Sequence, residues 1–518
     1  MAPLKYPIGV QDFEKIRTRG MVYVDKTEII YRLVQKNYIF LSRPRRFGKS
    51  LLLSTIKAYF EGKKHLFEGL KISQFEKSWE PRPVFHLELS RSNPYDADSL
   101  EATLTSQIRN LEEKYKVEAK DQDLSSRFAN LIIKTSEKTG KGVVILIDEY
   151  DNPLINTLEE KENYDKNREL LKSLYANLKA LDQYIHFGMI TGVSRFTKLS
   201  VFSCINNLND ISLDQEFQDI CGITEDEIHT YLDEGIKEFS KALGIQCDEA
   251  YQALKKNYDG YHFSKALLDI YNPFSLLCAL DKKETGSYWF STATPGFLIR
   301  RLYDEKVNLP ESLNSEVTPL MLSSAEISHE SIIALLFQTG YLTIKKYDEE
   351  WKTYHLGIPN REVKEGIFRE MTSVYQDKDR QQSLTTIRTL VKSLNSGHPE
   401  DFLTALKQYL SGIPYSVIQN YKELYFENNI YIIANLIGLY CEAETATSNG
   451  RIDLTIKTKD YIYVIELKLD KSAEEALKQI QEKNYWSQYA VTGKKIFLIG
   501  VNFSSKTRNI QDSIITTP

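Results

Sequence analysis

The chain has 518 residues, 42% of them apolar and 26% charged, with a net charge of −5. That length admits about three domains, and the mild acidity excludes a protein that coats nucleic acid by bulk charge, because such binding depends on neutralising phosphates. No apolar run reaches the roughly 18 residues of a membrane span, the opening Met-Ala-Pro-Leu-Lys-Tyr lacks a signal-peptide core, and the five cysteines form neither a C-x-x-C pair nor a zinc spacing, so a soluble cytoplasmic protein with reduced thiols is expected.

Charge is uneven along the chain: residues 1–60 hold 12 Lys and Arg against 4 Asp and Glu. Within them Ile39-Phe40-Leu41 predicts a short buried strand and Leu51 to Phe60 a helix. Between the two lies Arg43-Pro44-Arg45-Arg46-Phe47-Gly48-Lys49-Ser50. Strand, loop and helix in that order suit a phosphate-binding loop, in which backbone N–H groups face the phosphates, Lys49 reaches the β/γ oxygens and the Ser50 hydroxyl meets Mg²⁺. Arg43 stands where the usual pattern has its first glycine. Arg43, Arg45, Arg46 and Lys49 supply half of the local charge excess, which assigns them to a triphosphate before a DNA backbone.

Val143 to Ile147 is a continuous apolar run of the kind a strand buried on both faces carries, and it ends in Asp148-Glu149. Such a tip brings Asp148 to the metal and leaves Glu149 to orient the attacking water. A second run, Ile185 to Ile190, leads into Thr191-Gly-Val-Ser-Arg195. There Thr191 is a candidate γ-phosphate sensor and Arg195 a candidate for neutralising transition-state charge, as an arginine finger does.

Thr224 to Glu227 reads as a capping box with Ile223 and Ile228 as its hydrophobic staple, so the first domain is expected to end at 222. His262, in Tyr258-Asp-Gly-Tyr-His-Phe263, is read as a hydrogen-bonded structural residue. Gly340 to Lys346 and Trp351 to Leu356 flank the polar turn Tyr347 to Glu350, which predicts a β-hairpin after helices. That pattern is winged-helix-like, with a packing platform preferred to a DNA contact. Asp377 to Ser393 is helix-prone, and Asn395-Ser-Gly-His-Pro399 marks a boundary.

Tyr421 to Tyr440 is a helical run containing Glu423, and Glu444 precedes a hairpin of Arg451 to Thr458 and Tyr461 to Leu469 about Lys459-Asp460. Centring the turn there makes cross-strand residue numbers sum to 919 and sets Asp453 opposite Glu466, with Cβ atoms about 4.5–5.5 Å apart. Lys468 shares their face, since side chains alternate with period two. Carboxylates that close repel unless a cation sits between them, and oxygen ligands suit Mg²⁺, with Mn²⁺ as an alternative. Ser472 to Glu475 then reads as a capping box opening a helix that carries Gln479.

Gly450-Arg-Ile-Asp453 with Glu466-Leu-Lys468 resembles the PD-(D/E)XK nuclease superfamily. The resemblance implies that Asp453 and Glu466 hold the metal, Lys468 assists the nucleophile, Gln479 is the polar helix residue facing the site and Glu423 is the first-helix glutamate. Pro7-Ile-Gly-Val-Gln-Asp-Phe13, Tyr23-Val-Asp-Lys-Thr27, Arg43 to Ser50, Leu146-Ile-Asp-Glu-Tyr-Asp151 and Thr191 to Arg195 resemble the bacterial AAA-ATPase-like proteins commonly fused to such a nuclease, in which an arginine at position 43 is expected.

The expected architecture is an α/β protein with a P-loop NTPase domain at 1–222, a helical lid and winged-helix-like region at 223–395, and a restriction-endonuclease-like α/β domain at 396–518. The expected function is ATP hydrolysis with metal-dependent DNA cleavage under nucleotide control, in defence against foreign DNA or in a mobile element. The alternative is a nucleotide-dependent switch or assembly protein whose nuclease-like domain is a binding platform. Expected partners are a nucleotide and nucleic acid, DNA before RNA, with a homo-oligomer admitted and no membrane.

Overall fold

A computed structural model describes residues 4–518 except 91–96, 120–122, 158–159, 196–206, 291–295, 324–328, 377–379, 412–421, 448–451, 485 and 508. The chain divides into two compact units: Met1–Thr292 with Glu316–Asn360, and Ala293–Ser315 with Arg361–Pro518. The middle segment expected at 223–395 is therefore shared between them. Among the described residues no helix is long and apolar enough to cross a membrane.

The first unit is built on five parallel strands: β1 (Tyr38–Ser42), β2 (Val84–Glu88), β3 (Val143–Asp148), β4 (Ile185–Gly192) and β5 (Asn209–Asp210), in the order β2-β3-β4-β1-β5. Every residue of β1 and β3 is buried, which is why both read as unbroken apolar runs: a parallel sheet is covered by helices on both faces. One face packs against helices Ala97–Tyr115, Leu124–Thr139 and Lys161–Ala180 through Leu104, Phe128, Leu131, Leu171 and Leu174. The carboxyl ends of β1, β3 and β4 lie side by side, the place where open α/β sheets bind ligands.

The expected helix after the loop begins two residues early, as Lys49–Phe60. Gly48 precedes it with φ 98°, a left-handed conformation that a side chain would resist. Thr224 forms the expected capping box with Glu227 at the start of Glu225–Tyr231. Three more helices follow, Asp233–Leu243, Cys247–Tyr258 and Pro273–Lys282.

The expected hairpin is present as β7 (Thr343–Asp348) and β8 (Thr353–Gly357), joined by a short β6 (Glu316–Val317) in the antiparallel order β6-β8-β7, after the helix His329–Gln338. His262 ties this sheet to the stretch after the helix Cys247–Tyr258, with its ring nitrogens against the Ile344 carbonyl at 2.6 Å and Asp269 at 2.8 Å.

The second unit joins helices, among them Arg361–Gln376, Arg380–Ser396, Pro399–Leu410 and Lys422–Ile437, to a mixed sheet. Its strands are β9 (Glu442–Thr447), β10 (Ile452–Lys457), β11 (Tyr461–Leu469), β12 (Lys495–Ser504) and β13 (Asn509–Thr516), in sequential order. Only the β11 and β12 pair is parallel, and the helix Ala473–Lys483 makes the crossover that parallel neighbours require. Asn395 to Pro399 does separate two helices, both within this unit.

Candidate functional sites

In the first unit, β1 delivers the chain to a loop whose residues face two ways. Arg45, Arg46, Gly48, Lys49 and Ser50 line a cavity of about 460 Å³ together with Glu149, Asn152 and the segment Pro7 to Gln11. Arg43, Pro44 and Phe47 turn into the protein. Arg43 is only 1% exposed: its guanidinium donates to the carbonyls of Ser42 and Ser212 at 2.9 and 2.7 Å, and to those of Phe217 and Gln218 at 3.3 and 3.4 Å. It also lies 4.1 Å from the Phe263 ring centroid. Burial pulls its pKa down to about 10. Phe47 packs edge-on against Tyr261 and Phe263. The residue in the place of the usual glycine thus braces the loop from behind, and the structure does not bring it to the cavity as a phosphate ligand.

Lys49 is buried, and its ammonium donates to the carbonyls of Arg43 at 2.8 Å and Pro44 at 3.0 Å. Burial lowers its pKa, while the nearby carboxylates of Asp148, Glu149 and Asp151 oppose that shift. Asp148 ends β3, and its Oδ1 accepts from the Thr191 hydroxyl at 2.7 Å and from the Glu149 N–H at 3.0 Å. Glu149 follows in a left-handed turn, φ 53°, with its carboxyl half-buried and its pKa raised by burial. Four expected residues, Lys49 from the helix after β1, Asp148 and Glu149 at the end of β3 and Thr191 on β4, therefore meet at one end of the sheet.

Asp151 was not anticipated. It is 1% exposed and accepts from the Val193 N–H, the Ser194 N–H and the Ser194 hydroxyl, while the Tyr150 hydroxyl donates to the Ser194 carbonyl. These bonds hang the end of β4 on the end of β3 and fix Thr191 beside Asp148. Arg195 is placed differently from the expectation: its guanidinium pairs with Asp210 at 2.7 and 3.2 Å, and its N–H donates to Gln338 at 2.8 Å. A charge neutralised in this way is not displayed toward the cavity.

A smaller apolar recess of about 100 Å³ adjoins the cavity, sharing Pro7, Gly48, Leu51, Pro273 and Leu277 with it and adding Val22, Val24 and Ile223. A cavity lined by Arg45, Arg46 and Lys49 beside an apolar slot suits a ligand with one anionic and one flat apolar end.

In the second unit the hairpin takes the expected register, with Asp453 paired to Glu466 and Ile452 to Leu467. Directly opposed positions share a face of the sheet. Position 444 on β9 joins them, since Ala446 pairs with Asp453 and lies two residues away. Glu466 and Lys468 are 1% and 7% exposed. The Lys468 ammonium donates to Glu466 Oε1 and to Gln479 Oε1, both at 2.7 Å, and the Gln479 amide donates to Glu466 Oε1. A buried charge pair is costly unless hydrogen-bonded throughout. Gln479 supplies the closing bonds.

Gln479 reaches the pair because its helix is anchored at the start. Ser472 caps Glu475, Asp512 accepts the Ala473 N–H at 3.1 Å, and Asn502, held by Asp512 at 2.8 Å, accepts the Lys471 N–H at 3.0 Å. Asn502 and Asp512 were also unanticipated; each lies on a strand whose pairing the sequence reading did not extend to. Glu423 sits in the first turn of Lys422–Ile437, placed by its backbone. Gly450 and Arg451, the start of the motif, lie outside the described residues.

Residues 7–202 match the family described as predicted AAA-ATPase, and residues 421–513 match one described as PD-(D/E)XK nuclease superfamily. A protein of Azotobacter chroococcum mcd 1, described as an uncharacterized protein in the vnfD 5' region, is 33% identical over 527 residues, spanning 99% of each chain.

Proposed function

This chain belongs to the AAA-ATPase-like proteins that carry a PD-(D/E)XK nuclease-superfamily domain toward the C-terminal end, and on that premise we propose that it hydrolyses ATP at the loop Arg43 to Ser50 and cleaves DNA at the β10–β11 hairpin, with nucleotide state setting the cleavage rate. The observation that carries the nuclease half is the buried Glu466–Lys468 pair, closed by half-buried Gln479, with Glu466 paired to position 453 on the neighbouring strand. A solvated surface pair needs no such burial. The ATPase half rests on Lys49, Ser50 and Glu149 around one cavity beside Asp148.

The donor sets fit the ions such chemistry takes. Ser50 and Asp148 offer a hydroxyl and a carboxylate for Mg²⁺ accompanying a nucleotide, and Asp453 with Glu466 offers carboxylate oxygen for Mg²⁺ or Mn²⁺. A divalent ion at either place supplies polarisation of a phosphoryl oxygen and a more acidic water. In the first site Lys49 binds and orients the phosphates, Thr191 holds Asp148 in one rotamer, and Glu149, with its raised pKa, takes up the proton of the attacking water. In the second, Gln479 orients both Lys468 and Glu466, and Lys468 steadies the nucleophile and the charge that develops beside it. Glu423, the first-helix glutamate of the family, is assigned a supporting role at that site. Arg195 acts through Asp210, as a support for the end of β4. The segment 1–222 then serves as ATPase and 396–518 as nuclease, the stretch 223–395, shared between the two units, supplies lid and wing, and the protein works in the cytoplasm.

Glu149→Gln is expected to bind ATP as the wild type does and to turn it over about 10²–10⁴ times more slowly, the usual contribution of a general base. Calorimetric loss of binding in that variant would remove the role. The reading as a whole is tested by incubating the protein with Mg²⁺ or Mn²⁺ on plasmid, single-stranded DNA and RNA, with ATP, with ADP and without nucleotide. Rates differing by about 5- to 150-fold between nucleotide states are expected from ordinary coupling energies. Identical rates would leave two independent enzymes on one chain, and cleavage of RNA alone would replace the substrate.

A further inference from the structure

The back of the nucleotide loop is gripped by a residue far along the chain. Trp289, fully buried, donates its indole N–H to the Arg45 carbonyl at 2.9 Å across 244 residues of sequence. Its own backbone N–H is held by the Ser275 hydroxyl at 3.1 Å, and its ring packs on Tyr341 with centroids 5.4 Å apart. The residue before Tyr341 is Gly340, φ 90°, where a Cβ would stand 2.8 Å from the Pro44 ring and 3.5 Å from the Trp289 ring. Loop, indole and wing sheet therefore fit together without slack, and the indole donor is fixed before any ligand arrives.

The direction of that bond matters. In a trans peptide the C=O and the following N–H point oppositely, so a carbonyl drawn back toward Trp289 sends the Arg46 N–H away from it, to the side where Arg46 and Gly48 line the cavity. The Phe47 carbonyl is drawn back in the same way by the Gly222 N–H at 3.1 Å, which directs the Gly48 N–H forward. A phosphate-binding loop works through such N–H groups. Here the first glycine is missing, and the donors are aimed by bonds from outside the loop.

We propose that Trp289 is a positioning residue of the nucleotide site: its indole N–H holds the Arg45 carbonyl outward and thereby presents the Arg46 N–H to the nucleotide's phosphates. This rests on the nucleotide-binding reading of the cavity. The ring's bulk holds the core together, and the indole nitrogen is what reaches the loop.

The test compares wild type with Trp289→Phe, which keeps a ring and removes the donor. Calorimetry with MgATP should show affinity lowered about tenfold, the worth of one charge-assisted bond to phosphate. In steady state KM should rise by a similar factor while kcat at saturation changes by less than about twofold, since the bond serves binding and not the chemical step. Wild-type affinity and KM in a folded Trp289→Phe protein would overturn the proposal and leave the nucleotide site standing. Wild-type protein that binds no nucleotide would overturn both. Should Trp289→Phe fail to fold, wild-type protein carrying ¹⁵N-labelled indoles decides the matter, its resonances assigned by Phe substitution of Trp79, Trp351 and Trp486 in turn. The Trp289 N–H resonance should shift on adding MgATP, and an unmoved resonance at saturation would overturn the proposal.

Discussion

Lys49→Ala is expected to weaken MgATP binding by about 10- to 150-fold, because a hydrogen bond from a charged donor contributes about 1.5–3 kcal/mol and one donor of this ammonium is open to a phosphate oxygen. With binding lost, turnover at ordinary ATP concentrations is expected to vanish. Two of the ammonium's three donors already rest on the Arg43 and Pro44 carbonyls, leaving one for an incoming oxygen. Removing the side chain also strips those carbonyls of their partner, so a stability loss of about 1–3 kcal/mol should accompany the effect. Titrations therefore belong at a temperature where both proteins are folded, as read by circular dichroism. Equal affinity in the two proteins would mean that Arg45 and Arg46, the exposed arginines of the loop, hold the phosphates instead.

The second large effect is expected at the hairpin. Glu466→Gln should reduce DNA cleavage by about 10²–10³-fold or more, the range found when one electrostatic contributor is removed from a catalytic site. The amide keeps the shape that Lys468 and Gln479 pack against, so the loss would report charge rather than collapse. Asp453→Ala should be equally inactive, and both variants should bind ATP as the wild type does. Glu466→Ala is a poorer probe, since an unpaired buried Lys468 costs about 3–5 kcal/mol and confounds activity with folding. Cleavage by Glu466→Gln at the wild-type rate would reduce the Glu466–Lys468 pair to a structural ion pair.

Much of this was legible in the residues because the relevant physics is local. The strands at 39–41, 143–147 and 185–190 announce themselves as apolar runs, since a parallel sheet is buried on both sides. The Asp453–Glu466 register follows from the turn at Lys459-Asp460, since a hairpin's pairing is fixed by where it folds back. What the sequence hid is direction. Arg43 and Arg45 are two residues apart and alike in charge, yet one serves carbonyls at 212, 217 and 218 while the other lines the cavity. Arg195 was equally ambiguous, because its partner Asp210 marks itself in no way as a counter-ion. Asp151 lay in plain sight three residues beyond Asp148, but its meaning depends on a strand end some forty residues later.

The chain's division has a consequence for how such a protein can be taken apart or reassembled in evolution. The backbone passes from one unit to the other at 292/293, 315/316 and 360/361, so neither half is a contiguous gene segment. A recombination joint at any single position, including the apparent border near 395, splits at least one folded body and leaves its hydrophobic interior without a lid. Exchange of one activity for another would require coordinated joints, or wholesale inheritance of the pair. A relative aligned over 99% of both chains is what wholesale inheritance leaves behind.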